Sequence, residues 1–244
     1  MGAEREVYER RGLLLALLAS FFVASLTASN LLASKIIEVK VGSIILRAPA
    51  AFIAYAATFL FTDIISEVFG RRAASLVVRA GFIAQLLVLF YIGVALKLPY
   101  SEVSPVAEQA YSSVVFSGTN IIAASLIAYL ISQHHDVWAF HLWRRVTRGR
   151  YLWLRNNAST LVSQLIDTVL FITLAFSIIP GLHGENALPL NIVASIIAGQ
   201  YLLKAIVALI DTPFVYLGVL LVNKYMSLSP PQPTTGLGTV KRID

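Results

Sequence analysis

The chain has 244 residues, of which 57% are hydrophobic and 13% are charged, and its mean hydropathy is +0.76. Soluble domains carry about 25% charged residues, so this composition excludes an ordinary soluble protein and predicts an integral membrane protein. The formal net charge is +6, and the absence of cysteine excludes disulfides, thiol catalysis and cysteine-based metal sites.

Six apolar runs are long enough to cross a bilayer as helices, because its hydrocarbon core requires roughly 20 helical residues. The first run follows the polar segment MGAEREVYERRG and is longer than the core of a signal peptide. The last run contains Pro213, which predicts a kink. The predicted fold is an all-α, polytopic bundle of six transmembrane helices at about 13–34, 49–69, 73–96, 115–133, 161–180 and 189–222.

The segment between the first two spans reads IIEVKVGSIILR at residues 36–47. It is rich in β-branched residues on both sides of Gly42, and this pattern predicts a short external β-hairpin. The rest of the chain is expected to form one transmembrane domain over residues 1–228. The tail after it, residues 229–244, is rich in Pro, Gly and Thr and is predicted to be a disordered cytoplasmic segment.

The distribution of Lys and Arg predicts the orientation. With the N-terminus in the cytoplasm, thirteen of the 19 basic residues fall in cytoplasmic segments, four in external ones, and Arg79 and Lys204 inside spans. Cytoplasmic loops of membrane proteins carry the excess of Lys and Arg, so both termini are predicted to be cytoplasmic. This placement accounts for the positive net charge without a nucleic-acid partner, in a multi-pass protein of the cell membrane.

Polar side chains inside the spans are grouped by helical spacing. A charge at the bilayer centre costs at least ~2.5–3.5 kcal/mol on insertion scales, so each charged group inside a span requires a structural or functional explanation. Asp63 and Glu67 are four residues apart and share a helix face. Two further stripes fall on single faces of the fifth and sixth spans, Gln164–Asp167–Thr168–Phe171 and Gln200–Lys204–Asp211.

Two interpretations of these stripes stay open. Interhelical hydrogen bonds hold many membrane bundles together, which is the structural reading of Asn30, Gln85 and Gln200. Ionisable groups inside a membrane more often mark a path for a polar solute. Arg79 lies between the two readings, because a salt bridge to Asp63 or Glu67 would make it structural.

A five-residue pattern occurs twice, as SQHHD at residues 132–136 and SQLID at 163–167. Gln and Asp three residues apart share a face and together offer a donor and several acceptors. This set matches a planar heterocycle with adjacent N–H donors and a carbonyl, such as a guanine-like base. Nearby aromatic rings are available to stack on it, among them Phe59, Phe69, Trp138, Phe140, Trp153 and Phe171.

These stretches resemble the queuosine precursor transporter family, also called the vitamin uptake transporter family. The resemblance covers most of the membrane part and rests on two specific signatures, within FTDIISEVFGRRAA (61–74) and WLRNNASTLVSQLIDTVLF (153–171). Shorter matches are ASNLLASKI (28–36), VRAGF (78–82), SQHHDVWAF (132–140) and LLKAIVALIDTPFVYL (202–217).

The resemblance implies uptake of 7-cyano-7-deazaguanine or 7-aminomethyl-7-deazaguanine by a secondary or facilitative carrier, with six spans and both termini inside. The implied partners are a small-molecule substrate and membrane lipid, without cofactor, metal or nucleic acid. Small bundles commonly form homodimers, which is the expected oligomer here. The candidate substrate-binding residues are Asp63, Glu67, Arg79, Gln133, Asp136, Asn156, Asn157, Gln164, Asp167, Lys204 and Asp211.

Two alternatives belong to other functional classes. The chain has no phosphate-binding loop of the G-x-x-x-x-G-K-[ST] type, so ATP-driven transport would make it the substrate-binding subunit of an energy-coupling-factor-like system. The small residues Ser20, Ala24 and Ala28 could then dock a partner helix. An intramembrane enzyme would need an aspartate pair or a histidine metal site. The chain has no His-Glu-x-x-His pattern, so it is expected not to be an enzyme.

The predicted orientation can be tested by single cysteines in the cysteine-free chain. Ser43→Cys and Gly184→Cys should react with a membrane-impermeant thiol reagent added to intact cells, because both positions are predicted to be external. Gly149→Cys and Ser229→Cys should react only after the cells are opened. The reverse labelling pattern would show that the positive-inside assignment is inverted.

Overall fold

The computed structural model describes residues 2–42, 44–146, 152–184 and 186–227. Within these ranges, six helices are long and apolar enough to cross a membrane, which confirms the predicted all-α multi-pass fold. The helices are α1 Gly2–Leu32, α2 Phe52–Phe69, α3 Arg71–Ala95, α4 Glu108–Val146, α5 Leu152–Thr173, the short α6 Ile179–Leu182 and α7 Leu190–Ser227.

Several helices extend past the predicted spans. α1 begins at Gly2 rather than at residue 13, and α4 continues to Val146 rather than ending near 133. The added turns contain Glu, Arg and Leu, which are good helix formers, so the helix continues where the bilayer crossing has ended. α7 also continues through Pro213 without a break in the element.

The predicted β-hairpin is confirmed. Strands β1 Ile36–Val41 and β2 Ile44–Pro49 pair antiparallel, with Ile36 opposite Pro49 and Val41 opposite Ile44. Gly42 has a φ of 61°, which is a left-handed conformation that glycine adopts without steric cost. The Ala50 N–H donates to the Lys35 carbonyl at 2.7 Å and closes the base of the hairpin.

The hairpin lies against α7 rather than standing apart from the bundle. Arg47 on β2 donates through Nη1 to Ser195 Oγ at 3.2 Å and pairs through Nε with Glu38 at 2.5 Å. A Cβ atom on Gly199 would collide with the Arg47 carbonyl oxygen, so strand and helix meet backbone to backbone. Gly199 follows Leu190 by nine residues, about 14 Å along the helix, so the hairpin reaches well into the bundle.

We call the end of the bundle that holds this hairpin the hairpin end, and the end with the α2–α3 connection the opposite end. Buried small residues fill the hairpin end, where Ala33, Ala51 and Ala124 form a cluster with Ile121 and Ala175. Larger side chains fill the opposite end, among them Phe22, Ile65 and Val222. Small residues allow close approach of backbones in membrane bundles, so the helices converge at the hairpin end.

The bundle exposes its apolar side chains on its outside. Leu76, Ile83 and Phe90 on α3 follow one another at seven-residue spacing and are 63%, 64% and 62% exposed. Such a stripe would be a liability in water and is the expected surface of a helix that faces lipid. Six crossings agree with the prediction that both ends of the chain lie on the same side of the membrane. That this side is cytoplasmic stays a prediction, and the predicted tail 229–244 lies outside the described residues.

A π-helical segment, Leu174–Ile178, joins α5 to α6. Pro180, which follows it, has no N–H to donate to the carbonyl four residues earlier, that of Phe176. The Leu188 N–H takes this role and donates to the Phe176 carbonyl at 2.8 Å. The segment therefore ties the fifth span to the connection that leads into α7.

The contact between hairpin and α7 predicts an opposite effect of two glycine substitutions. Gly199→Ala should lower the stability by about 1–3 kcal/mol, because the methyl group overpacks against backbone that cannot rotate away. Gly93→Ala, in an open position of α3, should be neutral or stabilising by up to about 1 kcal/mol. Thermal unfolding of the detergent-solubilised variants measures both. Equal stability of the two would contradict the backbone contact.

Candidate functional site

A cavity of about 880 Å³ lies inside the bundle and is lined by residues of α1, α2, α3, α4, α5 and α7. This volume is in the range of sites for small molecules. The lining is mostly apolar and aromatic, with a limited number of polar groups, which is the usual composition of such sites. It extends from Ala33 and Ala51 at the hairpin end to Glu67 and Tyr216 at the opposite end.

The centre of the cavity holds an ion pair between α5 and α7. Lys204 Nζ donates to Asp167 Oδ2 at 3.0 Å and to Thr168 Oγ1 at 2.9 Å. The Thr168 hydroxyl donates its own hydrogen to the Gln164 carbonyl at 2.8 Å, so it presents a lone pair to the lysine. Pairing cancels the two charges locally, which is how ionisable groups are tolerated within a membrane bundle.

Both partners of the ion pair are accessible from the cavity. The Lys204 side chain is 9% exposed and the Asp167 side chain 20% exposed, and both line the cavity. The three ammonium hydrogens are shared among Asp167, Thr168 and the Tyr55 hydroxyl, so a guest that accepts from Lys204 replaces one of these contacts. Asp167 Oδ1 has only a long contact, from Ser132 Oγ at 3.5 Å. The pair therefore presents a cationic donor and carboxylate acceptors side by side.

Aromatic rings surround this pair. Lys204 Nζ lies 5.1 Å from the centroid of the Tyr55 ring, within the range of a cation–π contact. Tyr55 and Phe59 meet edge to face with ring centroids 5.0 Å apart. Phe171 on α5 and Phe82 on α3 also line the cavity, so flat apolar surfaces are available to a planar guest.

A second group of polar side chains holds α1 to α3. Asn30 Nδ2 donates to Gln85 Oε1 at 2.8 Å, and Gln85 Nε2 donates to Thr27 Oγ1 at 3.0 Å. Thr27 in turn donates to the Val23 carbonyl at 3.0 Å. Asn30 and Gln85 are 5% and 2% exposed, and each amide has a partner in the protein. This chain of bonds matches the structural reading of buried amides as contacts between helices.

Gln200 differs from those amides. It lies on α7 one turn before Lys204 and lines the cavity. Its Oε1 is buried, and it has no hydrogen-bond partner among the described residues. A buried acceptor without a partner is rare in a folded protein and calls for a specific reason.

The two ends of the cavity differ in exposure. At the hairpin end, Ala33 and Ala51 are 2% and 8% exposed. At the opposite end, Asp63 and Glu67 line the cavity and are exposed. The cavity is therefore covered at the hairpin end and reaches the surface at the opposite end, between carboxylates that share one face of α2.

Five of the predicted site residues line the cavity, namely Asp63, Glu67, Gln164, Asp167 and Lys204. Arg79 is exposed and does not line it. In the part of the chain that the structure describes, Arg79 pairs with neither Asp63 nor Glu67. The side chains of the other predicted site residues lie outside the described residues, namely Gln133, Asp136, Asn156, Asn157 and Asp211.

The structure adds Tyr55 and Tyr129 to the site, which the sequence analysis missed. A signal for Tyr55 is present in the sequence, since Tyr55, Phe59, Asp63 and Glu67 recur every four residues on α2. The histidines considered as metal ligands are only partly described. His135 Nδ1 contacts Ser163 Oγ at 3.0 Å and so links α4 to α5.

Comparisons with known proteins agree with the resemblance seen in the sequence. Residues 49–218 match the family model described as "Putative vitamin uptake transporter". A "Probable queuosine precursor transporter" of Bacillus subtilis is 34% identical over 173 residues, which are 70% of this chain and 71% of that protein. A "Queuosine precursor transporter" of Escherichia coli is 30% identical over 48% of this chain and 50% of that protein. No solved structure matches the chain.

The ion pair predicts a non-additive effect of mutations. Lys204→Met should destabilise the protein by about 3–5 kcal/mol, because it leaves the Asp167 carboxylate buried and unpaired. Asp167→Asn combined with Lys204→Met should recover most of that loss, since no uncompensated charge remains. The measurement is thermal unfolding in detergent, with Lys97→Met in the exposed α3–α4 connection as control. Additive losses in the double variant would show that the two residues are not coupled.

Proposed function

Since the chain belongs to the vitamin uptake transporter family, we propose that it carries a queuosine precursor, a 7-deazaguanine base, across the membrane. It is a multi-pass membrane transporter with a small-molecule substrate. The proposed substrates are 7-cyano-7-deazaguanine and its aminomethyl relative. The observation that carries this choice is the Asp167–Lys204 pair, which offers a donor beside two acceptors in an aromatic cavity.

A 7-deazaguanine presents the complementary set along one edge. That edge carries a ring carbonyl, a ring N–H and an exocyclic amine, in this order. A carboxylate accepts from the ring N–H and the amine together, as acidic side chains do with base edges. In this proposal Asp167 has that role, while the Lys204 ammonium donates to the ring carbonyl in place of its contact with the Tyr55 hydroxyl. Tyr55 and Phe171 then cover the faces of the ring.

Other predicted residues have a secondary place in the proposal. Gln164 lines the cavity and shares a face with Asp167, so it is proposed to contact another polar atom of the base, with Asn156 or Asn157. Asp63 and Glu67 at the opposite end would be the first groups that a substrate meets from that side. Their negative charge favours a cationic aminomethyl group over a neutral substituent.

The transport mode proposed is that of a secondary or facilitative carrier. A cavity that is covered at one end and reaches the surface at the other is typical of one state of alternating access. The alternative, a substrate-binding subunit with separate ATPase proteins, has no better support in the structure or the relatives. The remaining proposals are a single transmembrane domain over residues 1–228, cytoplasmic termini, a homodimer and no enzymatic activity.

Uptake into proteoliposomes tests the function directly. Vesicles that contain only this protein should take up radiolabelled 7-cyano-7-deazaguanine without ATP. Vesicles with the Asp167→Asn variant should take up at least about tenfold less at low substrate concentration, because an amide donor would then face a ligand donor. Uptake that appears only with an added ATPase module would favour the subunit alternative, and no uptake under either condition would contradict the proposed substrate.

Ligand analogues separate recognition by Asp167 from a structural role. Asp167→Asn should weaken the binding of a 7-deazaguanine by at least about tenfold. It should weaken the binding of a 7-deazahypoxanthine, which lacks the exocyclic amine, by much less. Calorimetric titration of both ligands into both proteins measures the difference. Equal losses in a well-folded variant would show that Asp167 does not contact the amine.

A further inference from the structure

Gln200 lines the cavity, and its side-chain amide has a hydrogen-bond acceptor that is unsatisfied in the described part of the chain. Its Oε1 atom is buried and has no hydrogen-bond partner among the described residues. Lys204, one turn along the same face of α7, does not fill this role, because its ammonium donates to Asp167 and Thr168 of α5. An unpaired acceptor inside a protein is unfavourable compared with the same atom in water.

Two other amide side chains that line the cavity have hydrogen-bond partners within the protein. Asn30 and Gln85 bond to one another and to Thr27, so their positions are accounted for by the packing of α1 against α3. Among the side chains of α7 and its neighbours that the structure describes, none gives Gln200 Oε1 a comparable partner. A guest molecule with an N–H group would supply one.

We propose that Gln200 is a specificity-determining residue, whose side-chain carbonyl accepts a hydrogen bond from the N–H of the five-membered ring of the bound base. This inference rests on the proposed function. It means that the site selects the free base, because in a nucleoside the same nitrogen carries the sugar and has no hydrogen.

The spacing on α7 supports this assignment. Gln200 and Lys204 are four residues apart on one helix face, about 6 Å along the axis. This distance is close to the width of a fused two-ring heterocycle. A base held by its carbonyl edge at Lys204 and Asp167 therefore extends its five-membered ring toward Gln200.

The side-chain amide of Gln200 can rotate to face a bound base. The terminal torsion of a glutamine side chain is broad and roughly two-fold, so rotation that brings Oε1 toward the cavity meets little resistance. The Nε2 group then lies beside the ring nitrogen next to the N–H, which is an acceptor in a 7-deazaguanine. A side-chain amide and this pair of ring atoms form two hydrogen bonds in one plane, as amide side chains do with base edges.

The test compares a 7-deazaguanine with its isosteric furopyrimidine, in which an oxygen replaces the N–H of the five-membered ring. The wild-type protein should bind the 7-deazaguanine at least about tenfold more tightly, equivalent to about 1.4 kcal/mol. Gln200→Met, an apolar replacement of similar length, should lose this preference and bind both ligands with affinities within about twofold. Calorimetric titration of purified protein in detergent gives the four dissociation constants.

The thermal stability of the ligand-free variants supplies a second readout with opposite signs. Gln200→Met should leave the melting temperature unchanged or raise it, because it removes an unpaired acceptor. Gln85→Met should lower it, because it leaves Asn30 and Thr27 without a partner. A Gln200→Met variant that unfolds as readily as Gln85→Met would contradict the assignment.

The outcomes distinguish this inference from the function on which it rests. Wild-type protein that binds neither ligand would overturn the proposed substrate class. Wild-type protein that binds both equally well would overturn only the role of Gln200, and this measurement requires no variant to fold. A preference that persists in Gln200→Met would assign the recognition of the N–H to another residue.

Discussion

The Asp167–Lys204 ion pair is the interaction on which the rest of this structure depends. Two opposite charges 3.0 Å apart can stay inside a membrane bundle, whereas either one alone could not without a large cost. The pair therefore requires α5 and α7 to remain neighbours. Both groups line the cavity, where the remaining acceptor capacity of Asp167 opens onto water or a guest rather than lipid.

The hairpin end shows how the chain covers one side of that cavity with little side-chain bulk. Ala33 directly after α1, Ala51 directly before α2, Ala124 of α4 and Ala175 of the π-helical segment meet there. The backbone of Arg47 lies on the bare backbone of Gly199. Because the contact is made by main chain, its geometry leaves no room for a side chain at position 199. The polar bonds of Arg47 to Ser195 and Glu38 then hold the strand in register on the helix.

Much of this arrangement could be predicted from the sequence, because membrane crossing imposes length and hydropathy on each span. The six spans, the hairpin and the shared faces of the polar stripes followed from local patterns. The neighbouring helix that each polar face contacts could not be predicted. Residue spacing gives the relative position of residues on one helix, but not which helix they pack against. A salt bridge from Arg79 to Asp63 or Glu67 was one of the readings left open, and among the described residues Arg79 pairs with neither and does not line the cavity. The pairing of Lys204 with Asp167, and the lack of a partner for Gln200, depend on how three helices approach each other.

The π-helical segment at Leu174–Ile178 has a consequence for the phase of the fifth span. A turn that closes between residues five apart contains one residue more than an α-helical turn. Everything after it is rotated by about 100° relative to an uninterrupted helix. The stripe of Gln164, Asp167 and Phe171 therefore does not continue in phase into α6, Ile179–Leu182. A helical wheel drawn through the whole span would therefore misplace the residues that follow the π-helical segment. Only the residues before 174 can be assigned to the wall of the cavity from such a wheel.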